Sequence, residues 1–198
     1  MSLETHELSE LKSKIGRNPT STELQIVAAE WSEHCSYKSS KKHLKMLPMT
    51  GPLVINEKGY DSGVLDVGGG YVVTAHIESH NHPSAVEPFG GAATGVGGVI
   101  RDILSAGTRP IAIFDGLRFG DIEKDQQARW LFKNAVSGVA AYGNCLGIPT
   151  IGGEVEFDDC YQNYALVDVA AIGFGKKENL IKNHANKGDL VVLLGGST

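Results

Sequence analysis

From Gly51 onward the apolar residues change period, from the three-to-four spacing of helices to the alternation of strands, and this switch constrains the fold more than any other feature. Residues 64–67 and 71–77 read as strands joined by a Gly68-Gly69-Gly70 turn. The chain turns helical after Pro83 to about Ala106 and extended over 110–119. It is helical again over 122–146, behind Asp121 as capping residue, and extended over 150–157 and 166–174. This ββαβαββ order predicts an α+β domain, expected as a mainly antiparallel four-stranded sheet with helices on one face.

The preceding stretch is helical in pattern. Leu8, Leu11 and Ile15 share a face that Gly16 closes, and Asn18-Pro19 makes a turn. Thr20-Ser21-Thr22-Glu23 is a capping box for a second helix, whose apolar face of Leu24, Val27, Ala28 and Trp31 runs out near Glu33. A third, over 39–47, stops at Pro48. The expected organisation is a helical segment over 1–50, an α+β domain over 51–175, and over 176–198 a linker with the opening strand of a second domain at 190–194.

Composition narrows the function. The net charge is −5 and no basic run exceeds Lys41-Lys42, which argues against nucleic acid or an anionic membrane as partner. No apolar run approaches the roughly 20 residues of a membrane span. Cys35, Cys145 and Cys160 form no CxxC pair, and charges stand where a secretion signal would be apolar, so the expected address is the cytoplasm. Glycine is the outlier at 25 of 198 residues.

Three clusters carry chemistry. The first is His76-Ile77-Glu78-Ser79-His80-Asn81-His82-Pro83. Strand geometry places Val73, Ala75 and Ile77 on one face, expected as the core face, and His76, Glu78 and His80 in a column on the other. Such a column suits a hard divalent cation on the carboxylate, with imidazoles placed for proton transfer; a solvated strand face is the alternative. The second runs from Gly90 to Gly98, with five glycines in nine residues. It reads either as a glycine loop whose amides meet an anion ahead of a helix, or as small residues packing a helix against the sheet. Beyond it, a buried stripe of Val99, Ile100, Ile103 and Leu104 leaves Arg101 and Asp102 on the other side, available to a phosphate and a metal or paired with each other. The third is Trp31-Ser32-Glu33-His34-Cys35-Ser36-Tyr37-Lys38, where His34 suits acid–base work and Tyr37 a stacking contact. Neighbouring residues such as His34 and Cys35 do not point at each other as a nucleophile dyad needs.

The motifs WSEHCSYK at 31–38, ESHNHPS at 78–84, GGAATGVGGVIRD at 90–102 and IPTIGGEVEF at 148–157 together resemble formylglycinamide ribonucleotide amidotransferase, also called phosphoribosylformylglycinamidine synthase. The resemblance implies an ATP-dependent ligase with an aminoimidazole ribonucleotide synthetase-like fold. Such a ligase amidates formylglycinamide ribonucleotide through an iminophosphate, with ammonia from a separate glutaminase subunit and a small accessory subunit in the complex. It implies His34 and His80 as catalytic residues, and Tyr37 and His76 as ATP contacts, His76 standing where the family has lysine. Ser79, His80, Asn81, His82 and Arg101 fall at substrate contacts, and Glu78 and Asp102 at magnesium ligands. Asp168 stands where relatives often have asparagine. The family pairs two such domains face to face into a barrel, so this chain alone is expected to form a homodimer without turnover. Another synthetase of the same superfamily, a metal-dependent hydrolase and a non-catalytic dimerisation domain are the alternatives.

Overall fold

The computed structural model describes residues 3–48, 50–55, 60–182, 186–190, 192 and 194–195. The expected strand at 190–194 therefore lies partly outside the described residues. The chain divides into two units, Met1–Met49 and Thr50–Thr198.

In the first unit, α1 (Thr5–Ile15) ends at Gly16, which takes the left-handed φ of 69° that a helix stop favours. Helix α2 (Ser21–Glu30) starts at the expected box, Thr20 and Glu23 capping each other's backbone. Two short helices follow, α3 (Glu33–Ser36) and α4 (Lys41–Leu44). The helix expected over 39–47 shrinks to α4 because its apolar side chains find no core: Leu44, Met46 and Leu47 are all exposed.

The second unit begins with β1 (Gly63–Gly68) and β2 (Tyr71–Ser79). Their connection uses positive φ at Gly68, Gly69 and Gly70. Helices α5 (Asn81–Val86) and α6 (Pro88–Ser105) come next, then β3 (Arg109–Phe119), α7 (Gln126–Leu146), β4 (Thr150–Phe157) and β5 (Ala165–Lys176). The α+β class is as expected, but the sheet has five strands, in the order β1-β2-β5-β3-β4. Strand β4 adds the fifth at an edge and pairs parallel with β3, because the α7 crossover returns the chain in the same direction. The other pairings are antiparallel.

Helix α7 starts later than expected. Asp125 caps it, accepting from the amides of Gln127 and Ala128, while the carboxylate of Asp121 closes a preceding turn through the amides of Glu123 and Lys124. The core lies between the sheet and α6 and α7, around Val96, Val99, Ile103, Phe119, Leu131 and Val169. Leu104, expected in the buried stripe, is 53% exposed, since the helix face turns away from the sheet there.

One expectation reverses. In β2 the buried face is that of Val72 and Thr74, both at 0% exposure, whereas Ile77 is 71% exposed. The His76-Glu78-His80 column thus lies on the helix-covered side, and Val73, Ala75 and Ile77 lie on the opposite one. Thr74 tolerates burial because its hydroxyl bonds that of Thr108 at 2.6 Å. The glycine run takes the second of its two readings, since it is no loop but the body of α6. Its amides are committed to the helix, and the Glu87 carboxylate takes the first-turn amide of Gly90 at 2.5 Å, where an anion would have sat. The glycines serve close packing instead. A Cβ at Gly91 would stand 2.6 Å from the Ser84 backbone, and one at Gly97 would stand 2.9 Å from the Tyr142 hydroxyl.

Candidate functional site

The site in the second unit is built where β2 passes beneath α6. His76, Glu78 and His80 project from alternate positions of the strand toward the helix, whose residues 98 and 102 lie one turn apart on a single face. The Glu78 carboxylate occupies the space above Gly98: a Cβ there would be 2.2 Å from its Oε2. The His76 Nε2 lies 3.2 Å from Asp102 Oδ2, and both side chains are largely shielded from solvent. The Glu78 carboxylate of β2 therefore lies over Gly98, one helical turn before the Asp102 that His76 approaches. The His80 Nδ1 is 3.9 Å from Glu78 Oε1, and its Cβ would be 3.1 Å from a Cβ at Gly95, so glycine also makes room for the imidazole.

Arg101 is bound to this group at one end and open at the other. Its Nε donates to Asp102 Oδ1 at 3.1 Å while its side chain stays 77% exposed, leaving donors for a phosphate. Ser79 and His82, on either side of His80 and Asn81 in sequence, are exposed, and Asn81 starts α5. Among the described residues no three His, Cys, Asp or Glu side chains converge as a closed metal centre. A magnesium ion that brings its own waters and a nucleotide's phosphates needs only one or two protein carboxylates, and the Glu78 and Asp102 pair fits that requirement.

Tyr37 and His34 belong to the first unit. His34 falls within α3, and its side chain lies outside the described residues. Tyr37 ends α3 in the left-handed region at φ 51°, with its ring 54% exposed. The turn is tied down on both sides. Glu33 accepts from the Ser39 amide at 2.9 Å, which with the nearby seryl groups lowers its pKa. Lys38 donates to the buried Glu7 of α1 at 2.6 Å, a bond that lowers the carboxyl pKa and raises that of the ammonium.

Sequence reasoning missed a charged cluster on the helix-free face of the sheet. Arg118 of β3 reaches Glu154, Glu156 at 3.0 Å and Asp168 at 3.7 Å, on the neighbouring strands β4 and β5. Burial pushes the Asp168 carboxyl up, against the opposing pull of Arg118, and pushes that of Asp115 up as well. Period two could have placed Arg118 and Asp168 on their strands' outer faces, but only the register pairs Gly116 with Asp168 and Arg118 with Glu156.

Residues 59–174 match the family described as AIR synthase related protein, N-terminal domain. The chain belongs to this family. The AIR synthase match covers β1 through most of β5, and so includes the whole Glu78 and Asp102 site. Residues 1–38 match the formylglycinamide ribonucleotide amidotransferase linker domain. The phosphoribosylformylglycinamidine synthase subunit PurL of Saccharolobus solfataricus is 48% identical over 97% of this chain and 27% of its own length. The chain thus spans little more than a quarter of the curated relatives it matches. Thermotoga maritima PurL complexed with ATP superposes with a TM-score of 0.79 at 42% identity, over 93% of this chain and 29% of that one. The same protein complexed with FGAR gives a TM-score of 0.78 at 42% identity, over 93% and 28%. The resemblance carried by the four motifs is borne out.

Proposed function

We propose that this chain supplies part of the active site of an ATP-dependent ligase that converts formylglycinamide ribonucleotide to formylglycinamidine ribonucleotide in purine biosynthesis. The observation that carries the reading is the Glu78 carboxylate lying over Gly98 of α6, one helical turn before Asp102, with His80 beside Glu78 and with His76 and Arg101 beside Asp102. Similarity to a PurL complexed with ATP and with FGAR supports it.

In this reading Glu78 and Asp102 hold magnesium, which neutralises phosphate charge when bound. Tyr37 and His76 contact ATP, His76 from its place 3.2 Å from Asp102 Oδ2. Ser79, Asn81, His82 and Arg101 hold the ribonucleotide, Arg101 through its phosphate. The amide oxygen takes the γ-phosphoryl group and ADP leaves, giving the iminophosphate. Ammonia then adds at the amide carbon, His80 accepts the proton it sheds, and phosphate departs. His34 assists as the second catalytic histidine. The ammonia comes from a glutaminase subunit, with a small accessory subunit in the complex. We place the work in the cytoplasm, in keeping with three free cysteines. Among the described residues no helix is long and apolar enough to cross a membrane. Residues 176–198 are assigned as linker and start of a second domain.

A chimera tests the reading: this chain replaces the matching segment of the Thermotoga maritima relative. It is expected to form the amidine product only with ATP, magnesium and ammonia together. A folded chimera that hydrolyses simple phosphoesters and makes no amidine would overturn the assignment.

The isolated chain is proposed to pair with a second copy through the helix-free sheet face. That face exposes the apolar side chains of Leu65, Val67, Tyr71, Ile77 and Phe174, which an identical copy would cover. Size exclusion with light scattering is expected to give twice the 21.1 kDa sequence mass, and Ile77→Asp to give the monomer. A wild-type monomer at micromolar concentration would refute the pairing.

A further inference from the structure

The strand β2 does not simply end before α5; a side chain continues its ladder for one more residue. The last backbone pair of β2 and β5 is Ser79 with Asp168, so the next pair in register is His80 with Val167. The His80 amide donates to the Val167 carbonyl at 2.8 Å, as the ladder requires. The return bond should run from the Val167 amide to the His80 carbonyl. That carbonyl has instead turned into α5, where it accepts from the Ser84 hydroxyl at 2.5 Å. The Val167 amide donates to Asn81 Oδ1 at 2.8 Å, across 86 residues of sequence.

We infer that Asn81 is a positioning residue: its side-chain oxygen replaces the His80 carbonyl in the ladder and thereby fixes the bend that aims His80 at the reacting amide. Val167 is fully buried, so its amide has no water to turn to. The bend itself is unusual backbone, with His80 at φ −129° and ψ 60°, neither strand nor helix. Among the described residues no other hydrogen bond ties Asn81 to β5, so without this one the imidazole loses its fixed approach to Glu78. The bond uses the oxygen and leaves the Asn81 amide nitrogen for the substrate contact proposed above. Asparagine can do both at once; aspartate can do only the first and alanine neither. The inference rests on the ligase reading only for its effect on turnover.

The test compares Asn81→Asp with Asn81→Ala. In the isolated chain, amide exchange at Val167 is expected to stay slow in wild type and Asn81→Asp and to quicken at least about tenfold in Asn81→Ala, with Val169 and Ala171 unchanged. In the chimera, Asn81→Asp is expected to raise KM while kcat stays within about threefold, and Asn81→Ala to lower kcat at least about tenfold as well. Unfolding of Asn81→Ala alone would support the bond; unfolding of both variants would overturn it. Equal Val167 exchange in wild type and Asn81→Ala would also overturn it, whether or not the chimera is active. An inactive wild-type chimera with the expected exchange pattern would instead count against the ligase reading and leave the ladder bond standing.

Discussion

Asp102→Asn in the chimera removes amidine formation by at least about a hundredfold, and saturating substrate does not restore it. The change is isosteric, so packing against His76 and Arg101 is kept and circular dichroism stays that of wild type. What is lost is the negative charge of Asp102, one helical turn beyond the Gly98 position that the Glu78 carboxylate covers. A divalent cation held by two carboxylates and a nucleotide's phosphates loses half of its protein charge, and the deficit falls on kcat because the phosphoryl group gathers charge as it transfers. Glu78→Gln gives the same phenotype from the strand side. Turnover in Asp102→Asn within a few-fold of wild type would remove Asp102 from the proposed metal site.

Gly98→Ala gives the second large effect, and by a different route. The added methyl enters the space that the Glu78 carboxylate fills, with its Cβ 2.2 Å from Oε2. A carboxylate at the end of a rotatable side chain can swing aside, and alanine is worth about 1 kcal/mol more than glycine in a helix interior, so the fold is not destabilised. The magnesium requirement is what moves: the concentration for half-maximal rate rises at least about tenfold. Gly97→Ala is the control one residue away. There the methyl meets the Tyr142 ring at 2.9–3.1 Å, on α7 and away from the carboxylates, so it costs stability by about 1–3 kcal/mol without altering the metal requirement. Equal shifts in magnesium dependence for the two variants would show that Gly98 is only a packing residue.

Period alone determined much of this protein. The change of spacing at Gly51 located β1 to β5 to within a few residues, and the Thr20 and Glu23 box and Gly16 set helix ends, because such signals act between near neighbours. The same alternation put His76, Glu78 and His80 on one face of β2, since that depends on nothing but the pleat. The four motifs were specific enough to carry the family resemblance. What alternation cannot say is which face a sheet buries. Val73, Ala75 and Ile77 look like a core face by hydropathy, yet the helices cover the polar column instead. With glycine at 95 and 98, α6 approaches close enough to seat His80 and Glu78, and Thr108 satisfies Thr74. The glycine run itself was ambiguous for the same reason: the residues that let a loop cradle an anion also let α6 lie close to the sheet. The register across strands β3, β4 and β5 gathered Arg118 with Glu154, Glu156 and Asp168. The bend at His80 gave Asn81 its place in the ladder. Both join residues tens of positions apart in the chain, and such contacts exist only once the tertiary structure has brought their strands side by side.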